Sequence, residues 1–236
     1  MNTKQILTIS VSILCLLIIT QHSKAQNKTN EFGLVLGSSS YMGDINHSKL
    51  FYSPSLAYGV LYRHNINNRN SYRVQLSRQP ITGNDLDFTS GYQQTRAHSF
   101  SNTIYELAGQ YELHFLEYNP RKHLNFTTYM TFGLAAIMTS SPDQKYALSI
   151  PGGFGFKYGI GKRLTVGAEW TYKKTFTDHL DLLPENTYDP NLNPQSVKQR
   201  TSDVSKDWYS FAGVVISYNF ASSKKWCPAY DRRKKK

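Results

Sequence analysis

The clearest pattern in the sequence is one uninterrupted alternation, Tyr105-Glu106-Leu107-Ala108-Gly109-Gln110-Tyr111-Glu112-Leu113-His114-Phe115. Its odd-numbered positions are aromatic, leucine or glycine, whereas its even-numbered positions are mostly charged or polar. Successive side chains of a β-strand point to opposite faces, so this period of two predicts a strand with one apolar and one polar face. The predicted strand covers about residues 102–116.

Seven further segments alternate in the same way and are also predicted to be strands: about 31–38, 55–64, 71–79, 125–138, 147–160, 164–174 and 208–220. The sequence between them shows no helical periodicity, and after residue 20 no run of apolar residues is long enough for a membrane-spanning helix. Eight amphipathic strands indicate an all-β domain.

The predicted connections differ in length in a regular way. Short ones cover about 65–70, 117–124 and 161–163, and they alternate with long ones at 39–54, 80–101 and 175–207 and an intermediate one at 139–146. Outer-membrane barrels have short periplasmic turns and longer external loops. The sequence therefore predicts an eight-stranded antiparallel transmembrane β-barrel of outer-membrane type, with both termini periplasmic.

The N-terminus is typical of an exported protein. Lys4 precedes an uncharged apolar stretch at 6–20, and Ser23-Lys24-Ala25 offers small side chains at a peptidase site. This pattern predicts a secretory signal peptide at 1–25, cleaved after Ala25, with an uncleaved anchor as the alternative. The remaining chain is predicted to comprise a barrel at 26–220 and a basic periplasmic tail at 221–236.

Alternation alone does not decide which face is outside, because a soluble lipocalin-type barrel or a sandwich has the same period. Aromatic residues make up 14% of the chain, with 17 tyrosines, which suits lipid-facing girdles. The polar phase mixes small residues with charges of both signs, as an enclosed ion network requires. That predicted interior network comprises Arg63, Arg73, Glu106, Glu112, Lys157, Glu169 and Lys173.

Eight strands enclose room for side chains and not for an aqueous channel, so solute conduction is not expected. Function is then expected to reside in the loops, the tail or the lipid-facing wall. The tail holds seven basic residues and one acidic residue. It predicts an electrostatic dock for an acidic partner, with a solubilising end or a lipid-headgroup contact as alternatives, through Lys224, Lys225, Trp226, Cys227, Arg232 and Arg233. Since Cys227 is the one cysteine left after cleavage, a disulfide to another chain is a further hypothesis.

The sequence offers little for catalysis or metal binding. Asp85, Asp87, Asp178 and Asp181 lie in loops without a calcium-loop spacing, so no metal or cofactor is expected. A lipid A-modifying enzyme could use His98, Ser99 and Glu106, but adjacent strand residues point to opposite faces. We therefore expect no enzyme activity, no small-molecule substrate and no nucleic acid partner.

Several segments resemble one known family. They are Glu31-Phe32-Gly33-Leu34, Tyr41-Met42-Gly43-Asp44-Ile45-Asn46, Ser149-Ile150-Pro151-Gly152-Gly153-Phe154-Gly155-Phe156-Lys157-Tyr158, Gly167-Ala168-Glu169-Trp170, Lys173-Lys174-Thr175-Phe176-Thr177-Asp178-His179-Leu180-Asp181, Asp207-Trp208-Tyr209-Ser210-Phe211-Ala212-Gly213 and Cys227-Pro228-Ala229-Tyr230. Together they resemble the PorG family, the outer-membrane β-barrel components of the type IX secretion system of Bacteroidota.

The resemblance implies a non-enzymatic role. PorG-like proteins are associated with the periplasmic ring formed by the PorK lipoprotein and PorN, and help to tether that ring to the outer membrane. Their machinery exports proteins with a C-terminal sorting domain and supports gliding motility in some species. The partners it implies here are PorK/PorN-like ring subunits, together with outer-membrane lipid. A small adhesin or stress-type barrel that acts through its external loops is the alternative.

Overall fold

The computed structural model describes residues 29–46, 49–120, 123–141, 145–177, 179–182 and 206–220. The predicted signal peptide and the predicted basic tail lie outside these residues. Eight antiparallel strands pair in sequence order, and the last pairs with the first to close a barrel. They are β1 (Thr29–Met42), β2 (Ser55–Asn65), β3 (Asn70–Asn84), β4 (Ser99–His114), β5 (Phe126–Thr139), β6 (Tyr146–Ile160), β7 (Leu164–Thr175) and β8 (Trp208–Phe220).

The eight predicted strands are confirmed, but several are longer than the hydrophobic alternation indicated. The third ends at Asn84 and not near residue 79, because its backbone remains paired with β4 as far as Ser99. Those last residues are too polar to continue the apolar pattern. The β3–β4 connection also contains a 3-10 turn at Asp85–Asp87 and a short helix, α1 (Gly91–Arg96), where no helix was predicted.

The two ends of the barrel are different. Thr29 and Phe220 lie at one end, together with the connections 66–69, 115–125 and 161–163; we call this the turn end. The opposite end carries the connections 43–54, 85–98, 140–145 and 176–207, and we call it the loop end. The predicted alternation of short and long connections fails at one place, because the 115–125 turn is longer than the 140–145 loop. The extra residues fold back and cover the turn end of the barrel.

The wall has the polarity that the outer-membrane prediction requires. Large apolar side chains project outward along all eight strands, with Leu134 69% and Leu56 64% exposed. The seven charged residues predicted to be inside are at most 4% exposed. A lipocalin-type barrel would have the reverse arrangement, so that alternative is wrong. The fold is that of an outer-membrane barrel with a lipid-facing exterior.

Two apolar clusters occupy part of the remaining interior, beside uncharged polar side chains such as Gln75 and Thr131. One cluster, made mainly by Tyr41, Ile81, Phe100 and Tyr209, closes the loop end. A second, which includes Leu61 and Phe211, packs against the inner faces of β1, β2 and β8. In the described ranges, no helix is long and apolar enough to cross a membrane.

Candidate functional site

The centre of the lumen is organised around one carboxylate, Glu112 on β4. Its side chain lies 2.9 Å from Arg63 Nε, 3.4 Å from Arg73 Nη1 and 3.4 Å from Lys157 Nζ. These cations come from β2, β3 and β6, so a single carboxylate links four strands across the lumen. Desolvating each of these ions is costly, and their shared partner offsets that cost.

A second carboxylate, Glu169 on β7, extends this network towards the loop end. It accepts a hydrogen bond of 2.6 Å from Arg73 Nη1 and one of 2.8 Å from the hydroxyl of Tyr129. The Nε of Arg73 donates to Gln110. All of the polar groups of Arg73 are thus used by side chains from two other strands, β4 and β7.

A separate ion pair lies above this network, nearer the loop end. Lys173 Nζ donates to Glu106 at 2.6 Å, and the hydroxyl of Tyr209 donates to the other oxygen of the same carboxylate. The ammonium of Lys173 also lies 5.3 Å from the centre of the Tyr209 ring. The pair therefore has both a charged and an aromatic partner.

One member of the network, Glu31, was not predicted from the sequence. Its carboxylate lies 2.7 Å from Arg63 Nη1 and accepts hydrogen bonds from Asn65 and Ser217. The signal was present, because Glu31 occupies the polar phase of the first predicted strand. With Glu31 included, the described inner faces of the strands carry four carboxylates and four Lys or Arg cations, and the formal charges of these eight groups cancel.

Glycines make room for the long charged side chains. Glu169 lies directly between Gly155 and Gly213 in the strand register, and Lys157 pairs with Gly167. A Cβ at Gly155 would lie 2.9 Å from the Tyr129 hydroxyl, the group that binds Glu169. The Gly-rich polar phase is therefore a packing requirement of a narrow charged lumen.

The turn end is closed by the 115–125 connection. Tyr118 is 6% exposed, and its hydroxyl forms a 2.7 Å hydrogen bond with Thr165. The Lys157 ammonium lies 4.8 Å from the centre of its ring. Burial raises the pKa of the Tyr118 phenol, which stays neutral beside the network. The 115–125 connection thus forms a plug, centred on Tyr118. Beside it, the turn end exposes Arg69, Lys162 and Arg163.

The loop end has its own polar contacts, and these account for the loop aspartates. Asp85 forms a 2.6 Å ion pair with Arg96, and Asp87 accepts a 2.6 Å hydrogen bond from Tyr52. Partial burial and that bond raise the pKa of Tyr52 to about 12. Asp181 and Asp207 both accept from the Tyr41 hydroxyl, whereas Asp178 lies outside the described residues. No metal-binding group of three ligands occurs in the described part of the chain.

The residues considered for lipid A chemistry do not assemble. Ser99 is exposed on the outer face, whereas Glu106 is buried in the lumen with Lys173. His98 contacts the backbone carbonyl of Asp181 through Nε2, at 2.9 Å. The proposed tail dock, Lys224, Lys225, Trp226, Cys227, Arg232 and Arg233, lies outside the described residues.

A family model described as a domain of unknown function, DUF6089, matches residues 9–229. The chain belongs to the DUF6089 family. The match includes the whole barrel of this DUF6089 protein and the first part of its basic tail. A search of curated proteins returns no match.

Solved structures resemble this DUF6089 barrel at low sequence identity. The N-terminal barrel of OprF from Pseudomonas aeruginosa is 11% identical, with a TM-score of 0.44 over 84% of this chain and 100% of that one. Neisserial surface protein A is 9% identical, with a TM-score of 0.48 over 84% and 100%. Ail, the attachment invasion locus protein of Yersinia pestis, is 13% identical, with a TM-score of 0.44 over 83% and 100%. At these values the likenesses carry no argument about function.

Proposed function

We propose that this protein is a structural outer-membrane component of the type IX protein secretion system, and that it anchors a periplasmic PorK/PorN-type ring. The observation that carries the proposal is a filled barrel in which β1 begins and β8 ends at one face, and that face exposes Arg69, Lys162 and Arg163. The PorG-like sequence segments identify the machinery to which such an anchor would belong.

The lumen argues for anchoring and against transport. Glu112, Arg63, Arg73 and Lys157 meet across the interior, and Tyr118 closes the turn end. A solute would have to break several buried ion pairs, each of which leaves an uncompensated charge. The surfaces that remain for function are the two ends and the lipid-facing wall.

The turn end is the face we propose for the ring. In the topology of bacterial barrels it is periplasmic, because it carries the short turns and both chain ends. Among the described residues there, exposed Arg69, Lys162 and Arg163 outnumber the one exposed carboxylate, Glu117. The sequence continues after Phe220 into the segment 221–236, which holds seven basic residues and one acidic residue. Cations on both features favour an acidic partner surface, mainly by steering its approach and orientation.

The test is co-purification of PorK- and PorN-like subunits with the full-length protein and with a variant lacking residues 221–236. We expect the deletion to lose the ring subunits while the barrel keeps its heat-modifiable migration on a gel. A second variant, Lys162→Glu/Arg163→Glu, should weaken capture, and Lys49→Glu at the loop end is its matched control. Unchanged secretion of sorting-domain proteins in a strain without the chain would refute the proposal.

Two finer proposals concern the chain ends. We propose that Cys227 forms a disulfide or a close contact with a ring subunit, which predicts a high-mass band on a non-reducing gel. The covalent version fails if Cys227→Ser leaves every band unchanged. We also propose cleavage after Ala25, so the intact mass of the purified protein should correspond to a chain that begins at Gln26.

The second candidate is a small barrel that acts through its external loops. One observation favours it: the 43–54 and 85–98 connections hold each other at the loop end. Gln93 Nε2 donates to the carbonyl of Ile45 at 2.7 Å, and Lys49 Nζ donates to the carbonyl of Asp87 at 2.9 Å. Such a protein would tolerate loss of residues 221–236, which separates it from the secretion component.

A further inference from the structure

The lipid-facing wall contains a groove of about 740 Å³. It crosses the outer faces of β8, β1, β2 and β3 and is lined mainly by Leu34, Leu36, Val60, Leu76, Val214 and Ile216. A barrel wall in contact with lipid needs only to be apolar, and it does not need to be concave. A groove of this size has room for an acyl chain.

A cation lies at the loop end of this groove. Arg78 of β3 belongs to the outward phase of its strand and lines the groove with Tyr58 and Tyr105. Both tyrosines are its direct partners in the strand register, and its guanidinium lies 5.9 Å from the centre of the Tyr58 ring. Among the described residues, no carboxylate lies within 4 Å of Arg78. Its charge is therefore available to a ligand.

The level of Arg78 on the wall is that of lipid headgroups. Towards the turn end, the outward residues of β3 are Tyr72, Val74 and Leu76, all of which are half exposed and apolar or aromatic. Towards the loop end they include Thr82 and Asn84. Arg78 thus marks the edge of the apolar band, where a cation costs little and where lipid phosphates reside.

We propose that the groove binds a phosphorylated glycolipid of the outer leaflet, of the lipid A type. Its phosphate contacts the Arg78 guanidinium and the hydroxyls of Tyr58 and Tyr105, and one acyl chain occupies the groove. Arginine suits this role because its planar fork binds phosphate oxygens in pairs. The proposal requires the loop end to face outward and is independent of the secretion role.

The first test is binding of bisphosphorylated lipid A to the purified chain in detergent, measured by native mass spectrometry. Loss of a charge-assisted contact predicts at least about tenfold weaker binding by Arg78→Gln. Lys174→Gln is the matched control, since Lys174 is an outward cation on β7 that stacks on Trp208 and does not line the groove. Equal binding by Arg78→Gln and the original chain would overturn the proposal.

The second test separates the groove from the charge. Leu76→Trp should fill the groove and displace the acyl chain, whereas Leu148→Trp alters an equally outward leucine on β6 and should bind normally. Each variant is first checked for heat-modifiable migration, and Leu76→Trp decides the outcome alone if Arg78→Gln does not fold. Equal retention of dephosphorylated lipid A would refute phosphate recognition, and equal retention of phosphatidylglycerol would refute selection of a lipid A-type glycolipid. A groove-dependent dimer without bound lipid would assign the surface to a second copy of the chain instead. Ring subunits are absent from these experiments, so their result is independent of the secretion proposal.

Discussion

Arg63 and Arg73 lie directly opposite one another in the β2–β3 ladder, with both guanidinium groups inside the barrel. Like charges at directly opposed positions destabilise a sheet. Here Glu112 compensates, because it contacts Arg63 at 2.9 Å and Arg73 at 3.4 Å. Glu31 contacts Arg63 at 2.7 Å, and Glu169 contacts Arg73 at 2.6 Å. The register of two strands therefore depends on carboxylates from three others.

Glu112→Gln should be strongly destabilising, since it leaves Arg63, Arg73 and Lys157 with one carboxylate fewer in a desolvated lumen. Removing one partner of a buried ion pair costs about 3–5 kcal/mol. The measurement is urea unfolding in lipid vesicles, followed by tryptophan fluorescence. Glu117→Gln, an identical change at an exposed site in the 115–125 turn, should alter the unfolding free energy by no more than about 0.5 kcal/mol. Equal effects of the two changes would mean that the lumen is hydrated.

Lys173 and Glu106 should be energetically coupled. Lys173→Met and Glu106→Gln each leave a buried charge without its ionic partner, whereas the double variant removes both charges. We expect a coupling free energy of about 0.5–3 kcal/mol in a double-mutant cycle. A second cycle pairs Glu106→Gln with Lys174→Met, because Lys174 is adjacent in sequence but exposed on the outer face. That cycle should give a coupling near zero, and a similar value in both cycles would contradict the assigned ion pair.

Gly37 should be essential for closing the barrel. It pairs with Gly213 where β1 meets β8, and a Cβ at Gly37 would lie 2.2 Å from the carbonyl oxygen of Ala212. Because the obstructing atoms are backbone, Gly37→Ala should cost about 1–3 kcal/mol or prevent closure. Gly152→Ala is the control, since a Cβ there meets nothing within 4 Å. Refolding into vesicles, read by heat-modifiable migration, should fail or slow only for Gly37→Ala.

The polarity of the wall can be tested with a charge on its lipid-facing side. Leu134 lies on β5, is 69% exposed and is followed towards the loop end by two further outward apolar residues, Ala136 and Met138. Leu134→Arg should cost about 2–4 kcal/mol in a bilayer, because an arginine near the midplane is poorly solvated. Leu86→Arg, at a leucine that is 55% exposed on the 85–98 connection, should have little effect. If Leu134→Arg unfolds at the same urea concentration as the original chain, that part of the wall does not contact lipid.

Much of the candidate site was predictable from the sequence. Side chains alternate strictly along a strand, so the alternation pattern placed the seven charged residues of the predicted network on the polar face. These residues are Arg63, Arg73, Glu106, Glu112, Lys157, Glu169 and Lys173. The same rule applies to Glu31, which was not predicted because it is the first residue of the first predicted strand. The plug made by Tyr118 was not predictable, since the path of an irregular turn is set by contacts that are distant in sequence.

By itself, the sequence determined the number of strands, the face each side chain occupies and the approximate positions of the connections, although not the length of the 115–125 turn. These properties are local, because they follow from a period of two and from the residues between the runs. Only the tertiary structure decided that Glu112 is the shared partner of three cations, that Gly37 meets Gly213 at closure, and that Arg78 stands at the end of an apolar groove. Those relations depend on strand register and on the curvature of the closed sheet, which no single segment specifies.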